Sequence, residues 1–116
     1  MIHISFAEGV LRNREELDGK ILTILDENQK RFGIACEYKD SVSSLFSAVI
    51  RESKEKYGFR SVVLIDEYDK PILDNIAEPK IAEEMRDGLK NLYSVIKGQD
   101  ANIQYYRFEW EQFSQG

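Results

Sequence analysis

The sequence is poor in metal-binding and redox-active side chains, with one cysteine, Cys36, and one histidine, His3, among 116 residues. A single cysteine excludes an internal disulfide and makes a reducing compartment, the cytoplasm, the expected location. One histidine and one distant cysteine are too few for a zinc site built from nitrogen and sulfur ligands.

Long apolar runs and dense positive charge are also missing. No apolar run approaches the ~20 residues that a membrane-spanning helix needs, and the first ten residues lack the basic and apolar regions of a signal peptide. The formal net charge is -5, and no run of Lys or Arg could follow a phosphate backbone. We therefore expect no membrane partner and no direct nucleic-acid binding by this segment.

The composition is that of a folded protein, with 42% hydrophobic and 32% charged residues. This length and balance predict one domain with a modest core. Period-two apolar spacing over residues 1–6 and the apolar run over 62–65 predict two strands, and a last strand is predicted over 103–108. Apolar stripes at three- and four-residue spacing predict three helices, which run between the cap residues Asn13 and Gly33, over 43–57 and over 80–97.

The predicted order is strand, two helices, strand, helix, strand. Strands separated by helical crossovers favour parallel pairing in an α/β fold. The unbroken apolar run Val62–Ile65 is typical of a strand that is covered on both faces of a sheet. Pro71 and Pro79 mark a short connector before the third helix.

Two carboxylates, Asp66 and Glu67, directly follow the apolar run. Ligands of open α/β sheets bind outside the carboxyl ends of the strands, and four hydrophobic residues followed by Asp-Glu form the Walker B pattern of P-loop ATPases. A magnesium ion that bridges ATP phosphates needs a carboxylate on a rigid strand. The next carboxylate can polarise the attacking water as a general base. The pattern therefore predicts Asp66 as the magnesium ligand and Glu67 as the catalytic base.

Other interpretations of these acidic residues stay open from the pattern alone. Acidic residues also end strands as solvated loop residues or helix N-caps. The letters DEYD match the Asp-Glu-x-Asp box of helicases, but no basic strand-binding surface accompanies them. Glu52-Ser53-Lys54 fits the carboxylate-x-Lys pattern of a PD-(D/E)XK nuclease, yet it lies on a predicted helix, which favours a surface role.

The stretch VVLIDEYDKPILDNI, followed by EMRDGLKNLYSVIK, resembles the predicted AAA-ATPase-like proteins of bacteria. IHISFAEGVLRNREELDGKI resembles the segment between their P-loop helix and their Walker B strand, so the resemblance covers residues 1 to about 104. It implies a partial AAA-ATPase-like domain over 1–108, with a three-layer, incomplete P-loop NTPase-like parallel sheet and a divergent tail over 109–116. It also implies ATP and Mg²⁺ as cofactors and, in full-length relatives, an attached nuclease-like domain.

Two departures from the family pattern limit what this chain is expected to do. No G-x-x-x-x-G-K-[ST] loop occurs in it, and the resemblance places that loop upstream of residue 1. After the last strand, members of the family have a segment similar to F-x-x-L-T-G-V-S-K-F-S, which contains a polar sensor residue. In this chain only Phe113 and Ser114 match that segment. We therefore expect this chain to carry the Walker B half of an ATP site and to hydrolyse no ATP by itself. The reason is that the P-loop supplies most of the contacts that bind the phosphates.

The last predicted strand has an outer edge for which the sequence offers no neighbour. Its flanking aromatic residues predict either a surface that needs the missing part of the ATPase domain or a pairing surface. The alternative function is thus a catalytically silent interaction module that associates with itself or a partner through this edge. The aromatic residues concerned are Tyr105, Tyr106, Phe108, Trp110 and Phe113.

Overall fold

The computed structural model describes residues 1–37 and 41–110, and within them three strands form one parallel sheet. The strands are β1 (Ile2–Ser5), β2 (Ser61–Asp66) and β3 (Ile103–Phe108). They lie in the order β1-β2-β3 with both pairs parallel. The predicted α/β fold with parallel strands is confirmed, and β2 is the central strand.

Four α-helices connect these strands in the described part of the chain, and capping groups mark both ends of the first one. The Asn13 side chain caps the first helix by accepting a hydrogen bond from the Glu16 N–H at 2.8 Å, as predicted. Gly33, at a φ of 69°, ends that helix in the left-handed conformation that glycine tolerates. The helices are α1 (Arg14–Phe32), α2 (Val42–Tyr57), α3 (Lys70–Leu73) and α4 (Pro79–Gly98).

The short helix α3 differs from the prediction, which has only a connector marked by two prolines over this stretch. Pro71 is the second residue of α3, where a helix needs no backbone donor and the fixed φ of proline suits it. Proline therefore begins a single helical turn here.

The prediction of helices on both faces of the sheet is wrong for the described residues, which form two layers. Ile4, Val63 and Ile65 on the helical face are fully buried, whereas Val62 and Leu64, which alternate with them, are half-buried. The strands follow one another in a single direction across the sheet, so right-handed crossovers place both connections on the same face. We call the other side the open face.

Helix α4 packs closely against α1 at Gly88, which is buried. A Cβ atom at Gly88 would overlap Leu17 Cδ2 and lie 3.3 Å from Arg14 Nε. Leu17 is fully buried and has little room to move, so Gly88 lets the two helices approach.

Gly88→Ala should therefore destabilise the chain by about 1–2 kcal/mol, because overpacking exceeds the gain of about 1 kcal/mol in helix propensity. Equilibrium urea denaturation measures this. Gly19→Ala is the matched control, since nothing lies within 4 Å of a Cβ there and the variant should gain stability. A Gly88→Ala protein as stable as Gly19→Ala would show that the helices can separate without cost.

Candidate functional site

Asp66 is the last residue of the central strand, and backbone hydrogen bonds fix the chain on both sides of it. Its carbonyl accepts a hydrogen bond from the Phe6 N–H at 3.0 Å, and the carbonyl of Ile65 accepts one from the Glu109 N–H at 2.8 Å. Asp66 pairs in register with Ser5, the last residue of β1. The predicted position of Asp66, at the carboxyl edge of the sheet on a rigid strand, is observed.

The Asp66 side chain belongs to the open face, since it alternates with the buried Ile65. The side chain is 37% exposed, and no described residue donates a hydrogen bond to its carboxylate. The nearest cationic candidate is His3, whose Nε2 lies 4.0 Å from Asp66 Oδ2, too far for a hydrogen bond. The Asp66 carboxylate therefore remains available to an incoming ligand.

His3 and Ser5 are the neighbours of Asp66 that sequence reasoning missed. They occupy alternate positions on β1 and share the open face with Asp66, because parallel pairing sets His3 beside Leu64 and Ser5 beside Asp66. His3 Nε2 is covered from solvent and has no hydrogen-bond partner among the described residues. The alternation of His3 and Ser5 with the apolar Ile2 and Ile4 was the available signal, but only the strand register connects it to Asp66.

Glu67 adopts an unusual backbone conformation directly after the strand. Its φ is 51°, and among the described residues no other residue except glycine has a positive φ. A left-handed conformation costs a residue with a Cβ about 1–2 kcal/mol. The Glu67 carbonyl accepts a hydrogen bond from the Lys70 N–H at 3.1 Å, so a tight turn separates the strand from α3. Strain of this kind is concentrated at functional sites.

Glu67→Asn should raise the free energy of unfolding by about 1 kcal/mol, because asparagine tolerates the left-handed region. Glu67→Ala is the matched control, since it also removes the carboxylate but lacks the short polar side chain that lets asparagine tolerate the left-handed conformation. Thermal or urea denaturation of both variants measures the difference. Equal stabilities would show that the turn carries no strain at this residue.

The residues that follow Glu67, over 68–74, have mainly structural contacts. Lys70 Nζ lies 2.7 Å from Asp74 Oδ2 and donates to the Gly9 carbonyl at 2.8 Å, so Lys70 ties α3 to the loop after β1. Asp69 precedes α3 but its side chain does not cap that helix. The Tyr68 ring packs against Phe108 on the helical side of the sheet. Burial of the ring and, to a smaller extent, the charge of Asp69 raise the pKa of the Tyr68 hydroxyl.

Asp66 could serve as one ligand of a magnesium ion whose other ligands come from outside the described residues. The described residues contain no group of three His, Cys, Asp or Glu side chains that could hold a metal ion. Mg²⁺ in nucleotide sites uses one or two carboxylates, several waters and the substrate phosphates. Asp66, exposed and without a hydrogen-bond donor, fits that role.

Comparison with known protein families decides the class of the chain. The family model described as predicted AAA-ATPase (AAA-ATPase_like) matches residues 1–108. The chain belongs to the AAA-ATPase_like family. The resemblance inferred from the sequence is thus confirmed at the level of the family.

One similar curated protein is described as an uncharacterized protein in the vnfD 5′ region of Azotobacter chroococcum mcd 1. It is 49% identical to this AAA-ATPase_like chain over 105 residues, which are 90% of this chain and 20% of the relative. The chain therefore spans about one fifth of the relative's length. No solved structure matches the chain.

None of the helices in the described ranges is both long and apolar enough to span a membrane. The predicted tail over 109–116 lies outside the described residues from 111 onward.

Proposed function

We propose that the chain supplies the Walker B half of an ATP–magnesium site in an AAA-like ATPase. The observation that carries the proposal is the position of Asp66 at the carboxyl tip of the central parallel strand. Its carboxylate faces the side of the sheet that no described helix covers, and it accepts no hydrogen bond from the described residues. Family membership supports the same assignment.

Asp66 and Glu67 have separate roles in this proposal. Bound Mg-ATP supplies the phosphates and the metal charge that balances them. Asp66 holds the metal side of the site, because a carboxylate on a paired strand needs little reorganisation to bind a hard cation. Glu67 lies in the following turn and accepts a proton from the attacking water as a general base.

The chain should bind Mg-ATP feebly by itself, since none of its residues form a G-x-x-x-x-G-K-[ST] loop. Without that loop, the carboxylates repel the nucleotide's phosphates unless a cation intervenes. Isothermal titration with Mg-ATP should detect no binding in the micromolar range. Micromolar affinity would show that another group in this chain grips the phosphates, and would overturn the half-site proposal.

The second candidate function is an interaction module that pairs through β3. No described strand pairs with the outer edge of β3, and Tyr105 on this strand is 52% exposed. The rings of Tyr93, Tyr106 and Phe108 lie 6.1 to 6.4 Å apart on the helical side of the same edge. Unpaired edges with apolar neighbours favour strand addition. Size-exclusion chromatography with light scattering tests this candidate, and a monomer at high concentration would count against it.

A further inference from the structure

A concave surface lies on the helical side of the sheet, which is the face opposite to the Asp66 side chain. It is a groove of about 360 Å³ between α3, α4 and the end of β3. Its walls are mainly apolar and aromatic, and we call it the α4 groove. The apolar walls are formed by Tyr68, Ile72, Leu89, Tyr93 and Phe108.

Two cations, Arg86 and Lys90, complete the lining of the α4 groove. They lie one turn apart on α4, and Lys97 continues the row with its Nζ 5.9 Å from the centroid of the Tyr93 ring. All three are exposed, and none forms an ion pair with a described carboxylate. In a chain with a net charge of -5, both charged residues in the described lining of the groove are cations.

The groove and the cations together specify the chemistry of a ligand. Aromatic walls favour large apolar side chains, whose burial contributes about 25 cal/mol per Å². Cations without ion-pair partners at the rim favour a ligand with carboxylates. Such complementary charges increase the association rate and the specificity of binding more than its affinity. Three cations on an acidic chain are few for a nucleic-acid backbone, which is recognised through many phosphate contacts.

We propose that the α4 groove docks an acidic segment of another protein chain that carries large apolar side chains. The apolar side chains fill the space between Tyr68, Leu89 and Phe108, and the carboxylates pair with Arg86 and Lys90. The proposal does not depend on the Walker B role of Asp66, because the two surfaces lie on opposite faces of the sheet.

The single tryptophan provides a direct signal for the test. Trp110 packs against Tyr68 in the wall of the groove, with ring centroids 5.1 Å apart, and it is 63% exposed. A partner that covers this wall should shift the Trp110 emission to shorter wavelength. The probe is a synthetic 12-residue peptide without tryptophan, with Leu and Phe at three- and four-residue spacing and Glu between them. A second peptide has Lys in place of every Glu.

The Glu peptide should bind saturably, and its binding should weaken as sodium chloride increases, because salt screens exposed charges. The double variant Arg86→Glu, Lys90→Glu should bind at least about tenfold more weakly, since two pairs become repulsive. Arg51→Glu, Arg60→Glu is the charge-matched control away from the groove and should keep the affinity. Circular dichroism establishes that both double variants are folded.

Four results would overturn the proposal. One is no saturable binding of the Glu peptide by the wild-type chain, and another is equal binding of the Glu and Lys peptides. A third is stronger binding of a single-stranded oligonucleotide that the Arg86→Glu, Lys90→Glu variant abolishes. The fourth is peptide binding that begins only when residues 111–116 are deleted, which would assign the groove to the chain's own terminus.

Discussion

Asn28→Leu should lower the free energy of unfolding by about 3 kcal/mol, because it leaves several backbone groups without partners. Asn28 is 2% exposed, and its amide donates to the His3 carbonyl at 2.9 Å while its Oδ1 accepts from the His3 N–H at 3.0 Å. The side chain thus takes the place of a neighbouring strand along the outer edge of β1. Leucine has the same number and branching of side-chain heavy atoms but can make neither hydrogen bond.

Equilibrium urea denaturation measures the effect of this substitution. Glu27→Leu is the control, because it places the same side chain on an exposed position of the same helix and should change stability by less than about 0.5 kcal/mol. A loss below about 1 kcal/mol for Asn28→Leu would show that water can satisfy the His3 backbone. The outer edge of β1 would then not depend on the Asn28 side chain for its hydrogen bonds.

Replacing Glu67 by Gln should have the largest effect on activity, in a family member long enough to bind Mg-ATP. The assay needs a longer family member that has Glu at this position, since this chain corresponds to only 20% of the length of the Azotobacter relative. The Gln variant at the aligned position should hydrolyse ATP at least about 100-fold more slowly, because an amide cannot accept the proton of the attacking water. Its affinity for Mg-ATP should change little, because the amide keeps the size of the side chain.

Asp66→Asn at the aligned position should give a different pattern in the same assay. It should weaken Mg-ATP binding, because the metal loses a charged ligand. A Glu→Gln change at the position of Glu78, which is exposed before α4, is the control in a family member that has Glu there and should leave both quantities unaltered. If the Glu67→Gln enzyme kept wild-type turnover, the general base would have to be another residue.

Most of the fold could be predicted because its signals are local. Cap residues such as Asn13 and Gly33 fix helix ends through their own side chain or backbone, and apolar periodicity fixes the strands. The placement of Asp66 at the edge of the sheet followed from the apolar run before it. These predictions needed no knowledge of distant contacts.

What the sequence did not reveal depends on contacts between distant segments. The run Val62–Ile65 looks the same whether one face or both faces are covered, so the open face was missed. The proximity of His3 to Asp66 requires the register of β1 against β2. The positive φ of Glu67 has no sequence signal, because glutamate rarely adopts it. The α4 residues from Arg86 to Tyr93 become a groove wall only when β3 and α3 pack beside α4.

Paramagnetic relaxation by Mn²⁺ in place of Mg²⁺ tests the central assignment most directly, using ¹⁵N-labelled chain in the presence of excess ATP, because the metal at Asp66 takes its other ligands from the phosphates and from water. The account predicts that the amide signals of Ser5, Phe6, Asp66 and Glu67 broaden first, and that Asp66→Asn abolishes this broadening while the spectrum stays folded. Broadening centred on another carboxylate, or unchanged in Asp66→Asn, would contradict the assignment of Asp66 as the metal ligand.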